Sequence, residues 1–177
     1  MGRDILVDGY NIIKNSPSFR AVESKNFAAA RETLITQLVQ RYRHTPHQVI
    51  VVFDGDGNYE QTQAVHRVRV IYSRYDQTAD SVIARLAAEA RQAGREVEMY
   101  SNDGEVQQAV AQQGGGVHTA HQLTGQFNAP SRDTARRSQH RQAVRRQYGL
   151  DPAFDPDDEP DYRHHVKGKK KSSRYRR

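Results

Sequence analysis

The sequence of 177 residues contains no cysteine and no tryptophan. The lack of cysteine excludes disulfide bonds, thiolate-bound zinc and a cysteine nucleophile. No apolar run approaches the roughly 20 residues that a membrane-spanning helix needs. The first residues, MGRDILVDGY, also lack the apolar core of a secretory signal. We therefore expect a cytoplasmic protein without a membrane association, and its length suits one α/β domain with an appendage.

Excess positive charge is absent from most of the chain and concentrated at its end. Residues 1–130 hold 13 Lys and Arg against 14 Asp and Glu, a net charge of −1. Residues 131–177 hold 14 Lys and Arg against 7 Asp and Glu, a net charge of +7. A basic segment beside a near-neutral domain favours a polyanionic partner, because neutralised phosphates release counterions. A solubilising tail explains the same charge equally well.

The change in composition predicts three regions. Residues 1–130 have the apolar patterning of a globular domain, and residues 131–150 form a basic helical arm. Residues 151–177 are first acidic, then basic, and too poor in apolar side chains to order themselves. If the partner is RNA, the arm supplies phosphate contacts that do not read sequence. The arginines expected to make them are Arg132, Arg136, Arg137, Arg141, Arg145 and Arg146.

Short apolar runs alternate with segments of helical spacing in the first region. Strands are predicted at residues 4–8, 48–54, 66–72, 96–101 and 117–119. Helices are predicted at residues 27–42, 78–94, 104–113 and 120–127. The DGYN segment that follows the first strand is predicted to be a loop. This alternation favours a parallel sheet with helices on both faces and right-handed crossovers.

Three predicted strands are followed by aspartates, namely Asp8, Asp54 and Asp103, and Asp80 lies in the first turn of a predicted helix. Each aspartate alone is as typical of a turn or a helix start. In open α/β sheets, however, ligands bind beyond the carboxyl ends of the strands. Four carboxylates converging there would repel each other without a cation. We therefore expect a Mg²⁺ site, because Mg²⁺ prefers oxygen ligands, water and substrate phosphate.

Two asparagines lie next to these acids. Asn11 follows Asp8 by three residues, and Asn102 directly precedes Asp103. Their amides could hydrogen-bond a carboxylate or a phosphate, although a role in shaping the loops is equally consistent with their positions.

The segments ILVDGYNII, VIVVFDGDG, TADS and SND, in this order and spacing, resemble the NYN (YacP-like) family of PIN-like nucleases over about residues 3–128. The resemblance implies a three-layer PIN-like α/β fold with a central, mostly parallel, five-stranded sheet. It also implies a metal-dependent endoribonuclease that uses Mg²⁺ or Mn²⁺. Asp56 and the segment beyond about residue 151 have no counterpart in the family pattern.

On the family's pattern the metal ligands fall on Asp8, Asp80 and Asp103. Asp54 is then a further catalytic residue, and Asn11 supports the site. Bacterial relatives are associated with RNA turnover on or near the ribosome. The partners implied are therefore RNA, mostly single-stranded, and the ribosome, while no feature of the sequence points to a particular oligomeric state.

Two other functions share part of this pattern. VIVVFDGDGN resembles the nucleophile loop of haloacid-dehalogenase-type phosphatases, in which Asp54 would attack phosphorus and Asp56 would be the general acid. That loop should follow the first strand, and a mid-chain lysine should accompany it, yet no lysine lies between Lys25 and Lys167. A catalytically inactive module that binds RNA or the ribosome is the second alternative, because a nuclease also has to hold its substrate.

Overall fold

The structure is a computed structural model that describes residues 2–127 and 132–148, without the side chains of 132–137 and 147. The chain divides into two compact units, residues 1–129 and 130–177. The tail predicted at residues 151–177 lies outside the described residues. None of the described helices combines the length and the apolar composition that a membrane crossing requires.

The first unit is built on a six-stranded sheet. Its strands are β1 (Asp4–Asp8), β2 (Gln48–Gly57), β3 (Gln61–Val65), β4 (Val68–Arg74), β5 (Val97–Tyr100) and β6 (Gly116–His118). Their order across the sheet is β3-β4-β2-β1-β5-β6. Five strands pair in parallel, and β3 pairs antiparallel to β4 at one edge. The mostly parallel α/β architecture expected from the sequence is thus confirmed.

Six helices of the first unit cover both faces of the sheet. They are α1 (Gly9–Asn15), α2 (Pro17–Glu23), α3 (Phe27–Tyr42), α4 (Ala79–Gln92), α5 (Gly104–Gln112) and α6 (Ala120–Phe127). The side chains of α1, α2, α3 and α6 pack with Val7, Val51 and Phe53 on one face. The side chains of α4 and α5 pack with Leu6 and Val52 on the other. Alternate residues of β1 and β2 thus serve two apolar layers, which explains why both strands are almost continuously apolar.

The chain first builds β1, β2 and β4 outward on one side and then returns to place β5 beside β1. Next to β1 the strand order therefore reverses. In open α/β sheets the crevice at such a reversal, beyond the carboxyl ends of the strands, is where ligands bind. Asp8 ends β1 there, and the loop after β5 contributes Asp103.

The sheet has one strand more than the five predicted. The additional strand, β3, has the sequence QTQAV, and four of its five residues are exposed. No alternation of apolar and polar side chains marks it, because one edge is unpaired and little of the strand is buried. Its pairing with β4 is what defines it as a strand.

The prediction that DGYN forms a loop is wrong, because helix α1 begins directly after β1. The side chain of Asp8 caps this helix by accepting a hydrogen bond from the backbone N–H of Asn11. Gly9 is required at the first helical position, since a Cβ there would overlap the ring of Phe53. The close packing of Gly9 on a residue of β2 therefore fixes the direction in which the chain leaves Asp8.

The second unit contains one described helix, α7 (Arg132–Tyr148). All six arginines expected to contact RNA lie on it. The side chains of Arg132, Arg136 and Arg137 lie outside the described residues. Among the others, Arg146 is exposed and Arg141 and Arg145 are half-buried.

Candidate active site

Asp8 is buried at the carboxyl end of the central strand, with a relative exposure of 6%. Its Oδ2 atom accepts a hydrogen bond of 2.8 Å from the hydroxyl of Ser101, a residue directly after β5. Its Oδ1 atom accepts the backbone N–H of Asn11 at 3.3 Å. One carboxylate is therefore held from two sides of the crevice, by the start of α1 and by the loop after β5.

Burial raises the pKa of Asp8 to about 6, because little water remains to solvate its charge. The hydrogen bonds from Ser101 and Asn11 oppose this rise, whereas the negative charges of Asp80 and Asp54 add to it. Asp8 is thus an acid whose ionised form is costly in the absence of a cation.

Asp103 and Asp80 belong to the first turns of two helices on the same face of the sheet. Asp103 caps α5, and its Oδ1 atom accepts the backbone N–H groups of Glu105 at 2.9 Å and Val106 at 3.4 Å. The backbone N–H of Asp103 is bonded in turn to the Ser101 hydroxyl at 3.0 Å. Ser101 therefore connects Asp8 and Asp103 through a single oxygen atom.

Asp80 is exposed in the first turn of α4, and its pKa is raised. The largest cause is partial burial, followed by the negative charges of Asp103, Asp54 and Glu105. Glu105 is an acid of this cluster that sequence reasoning missed, since its place in the first turn of α5 marks it only as a charge suited to a helix start.

Asp54 lies in β2 beyond Phe53, where the register between β2 and β4 shifts. Its Oδ1 atom accepts a hydrogen bond of 2.7 Å from the backbone N–H of Ala79, the first residue of α4. This contact fixes the start of α4, and hence Asp80, against the end of β2. Asp54 therefore positions a neighbouring acid through one of its two carboxylate oxygens.

The four aspartates share one edge, and none of them forms an ion pair among the described residues. Within the same part of the chain, no three Asp, Glu, His or Cys side chains are close enough to hold a metal ion by themselves. The acids thus form an open acidic surface rather than a closed cage. This donor set suits Mg²⁺, which commonly keeps several waters and takes one or two carboxylates together with a substrate phosphate.

Asn11 and Asn102 lie beside the acids and bind backbone groups. The Asn11 side-chain oxygen accepts the backbone N–H of Asn102 at 2.7 Å, and the Asn102 side-chain oxygen accepts the backbone N–H of Ala120 at 2.8 Å. The two amides join α1, the loop after β5 and the start of α6. Both side-chain oxygens thus bind backbone groups of the loops, as expected for asparagines that shape loops.

Comparisons with known proteins identify the family of the chain. An α/β sheet with acids at its carboxyl edge is the arrangement of a nuclease-type, PIN-like domain. The sequence model of the YacP-like NYN domain matches residues 5–159, and the chain belongs to this family. The protein is similar to the uncharacterized protein YacP of Bacillus subtilis (strain 168), with 32% identity over 135 residues, 75% of this chain and 79% of that protein.

Two crystal structures of Rae1 (YacP) from Bacillus subtilis are also similar. For a point mutant of Rae1 the TM-score is 0.62 at 30% identity, over 84% of this chain and 85% of that chain. For the second structure the TM-score is 0.62 at 29% identity, over 84% of each chain. The family membership argues against the phosphatase hypothesis, and Asp54 indeed lies in the second strand rather than directly after the first.

Proposed function

We propose that the protein is a metal-dependent endoribonuclease that hydrolyses phosphodiester bonds of single-stranded RNA with Mg²⁺ or Mn²⁺. The observation that carries the proposal is the set of four aspartates at the carboxyl edge of an NYN-family sheet, none of which forms an ion pair with a described residue. Buried charges in proteins are normally paired with an opposite charge or coordinate a metal. Acids that are left to repel each other are typical of a site that a cation completes.

In this proposal Asp8, Asp80 and Asp103 hold the metal ion, in part through its bound waters and together with the substrate phosphate. When bound, a divalent ion would activate water, clamp the scissile phosphate and stabilise charge on the leaving oxygen. The chain itself orients the ligands: Ser101 fixes the carboxylate of Asp8, and the start of α5 fixes that of Asp103. Asp54 holds the start of α4 and contributes negative charge to the site.

The proposed partners are RNA and the ribosome, with a cytoplasmic location that follows from these substrates. Exposed Arg146 on α7 and its neighbouring arginines would add phosphate contacts. Such contacts strengthen binding but do not distinguish one RNA sequence from another. They suit an enzyme whose RNA is presented to it by a partner such as the ribosome.

The test is cleavage of a labelled, mostly single-stranded RNA by the full-length protein with Mg²⁺, with Mn²⁺ and with EDTA. Asp8→Asn and Asp80→Asn are compared with Glu96→Gln, a control acid that pairs with Arg3 at the opposite, amino end of the sheet. We expect metal-dependent cutting that both site variants reduce by at least about 100-fold, equivalent to roughly 2.7 kcal/mol of transition-state stabilisation. The control should cut like the unmodified protein.

Equal cutting by all versions would contradict the proposed site. If no version cuts free RNA, the assay is repeated on translating ribosomes. Failure there, with RNA binding retained, would contradict the enzyme and favour the inactive binding module.

A further inference from the structure

A cavity of about 540 Å³ opens beside the acidic edge, on the face of the sheet that carries α1 and α3. Its volume is that of a typical ligand pocket. Asp54 lines both the cavity and the acidic edge, so the two are continuous. Its polar and aromatic lining consists of the acids Asp54 and Asp56 together with Tyr10, Arg31, Tyr59, Gln61, Gln63 and Tyr72.

Arg31 supplies a positive charge in this cavity. Its guanidinium carbon lies 5.6 Å from the ring centre of Tyr72 and 5.9 Å from that of Phe27. One of its N–H groups donates to the hydroxyl of Tyr10 at 3.4 Å. Aromatic rings therefore hold the guanidinium in place, and it forms no ion pair within the described residues. A fixed guanidinium without an acidic partner is suited to a phosphate or to stacking on a base.

Strand β3 supplies the groups that could read a base. Gln61 pairs with Tyr72 and Gln63 pairs with Val70, so both glutamines share the face on which Tyr72 and Val70 pack. Both are exposed, and each amide offers donors and an acceptor. Tyr59, in the turn before β3, is 81% exposed, which leaves its ring available for stacking.

We propose that this cavity, the nucleotide pocket, binds one unpaired nucleotide of the RNA next to the cleaved bond. The base stacks on Tyr59, the amides of Gln61 and Gln63 bond its edge, and Arg31 contacts the sugar-phosphate backbone. A paired base cannot present its face and edge in this way, so the pocket selects single strands. The substrate class rests on the proposed function, whereas binding at the pocket can be measured without cleavage.

The experiment measures the affinity of the full-length protein for a labelled single-stranded RNA by fluorescence anisotropy, in EDTA and at 0.15 M salt. Tyr59→Ala removes the stacking ring and Tyr59→Phe keeps it. Tyr75→Ala is the matched control, because Tyr75 is 71% exposed and does not line the pocket. Each protein is also titrated with RNAs in which a single abasic nucleotide is moved along the strand.

We expect Tyr59→Ala to weaken binding roughly 5- to 150-fold, the effect of losing one stacked base, and the other two variants to stay within about twofold. An abasic nucleotide at one position should weaken binding to the unmodified protein by a similar factor. The same abasic RNA should cause no further loss with Tyr59→Ala, because the base and the ring act as one pair.

Equal affinities of Tyr59→Ala and Tyr75→Ala would overturn the nucleotide pocket, as would an abasic scan without a sensitive position. Either result together with metal-dependent cutting would leave the endoribonuclease standing. Pocket-dependent binding without cutting would support the nucleotide pocket and contradict the endoribonuclease.

Discussion

The two ends of strand β1 each carry a buried aspartate, and the two carboxylates have opposite electrostatic surroundings. Asp4, with a relative exposure of 4%, is paired with Arg95 at 2.9 Å. Asp8, with a relative exposure of 6%, receives two hydrogen bonds and faces other acids. Strand, residue type and burial are the same, so the difference lies in the partner alone.

The surroundings of each aspartate repeat this contrast. At the amino end of the sheet Arg3 bonds both Glu96 and Glu98, so the acids there have cationic partners. The acids at the amino end are thus neutralised by arginines, whereas no described residue forms an ion pair with the four aspartates at the carboxyl end. This asymmetry is the physical basis of the proposed metal site.

The largest stability effect is expected from neutralising Asp8. Its pKa of about 6, against an ordinary 3.8, means that the folded protein binds this proton more tightly than the unfolded chain. The associated stability is present below pH 4 and is lost as the pH rises through about 6. At roughly 1.4 kcal/mol per pH unit, Asp8→Asn should stabilise the metal-free protein at pH 7.5 by up to about 3 kcal/mol.

Urea denaturation in EDTA at pH 3.5 and pH 7.5 measures this effect. The variant and the unmodified protein should be nearly equal at the lower pH and differ at the higher one. If Asp8→Asn were less stable than the unmodified protein at pH 7.5, the ionised form of Asp8 would not be costly in the folded state.

Breaking the pair at the other end should have the opposite sign. Arg95→Ala leaves the buried charge of Asp4 without its partner, which destabilises a protein. Because the Arg95 side chain is 45% exposed, we expect about 2 kcal/mol rather than the larger cost of a fully buried pair. The free energy of unfolding at pH 7.5 measures it.

The double variant Asp4→Asn/Arg95→Ala is the control for this pair. It should recover part of the loss, since the unpaired charge is then gone. Equal stability of Arg95→Ala and the unmodified protein would show that the pair does not hold the amino end.

A smaller effect is expected from Ser101→Ala, which changes the hydrogen bonding of Asp8 without removing a charge. The substitution takes one hydrogen bond from Asp8 and the acceptor from the backbone N–H of Asp103. The pKa of Asp8 should rise further, because a bond to its charged form is lost. An NMR titration of the Asp8 carboxyl carbon measures this shift, and an unchanged pKa would refute the role given to Ser101. The stability cost should be about 1 kcal/mol.

Sequence patterns predicted the helices that bury one face and the strands that are buried on both faces. The stripe of Val82, Ile83 and Leu86 predicted α4, and the apolar run of β2 predicted a buried strand. Helix α1 was missed because its seven residues show too little periodicity, and its start depends on the contact of Gly9 with Phe53. Strand β3 was missed because an exposed edge strand carries no apolar signal.

For the candidate site, the rule that ligands bind at the carboxyl ends of strands led to Asp8, Asp54 and Asp103, which the structure places at one edge of the sheet. The bonds made by Ser101 and Asp54 could not be predicted, since they depend on how loops distant in sequence pack together. The place of Arg31 among the aromatic rings is likewise a product of packing between α3 and the sheet.

Metal binding at the carboxyl edge is tested most directly by a titration with Mn²⁺ at pH 7.5. The electron paramagnetic resonance signal of free Mn²⁺ measures how much of the ion remains unbound. The full-length protein is compared with Asp80→Asn and with Arg95→Ala at a temperature where all three are folded. We expect Asp80→Asn to bind Mn²⁺ at least about 10-fold more weakly, a loss of roughly 1.4 kcal/mol, and Arg95→Ala to bind it like the unmodified protein. Identical uptake by all three proteins would contradict the claim that the unpaired aspartates at the carboxyl edge bind the metal.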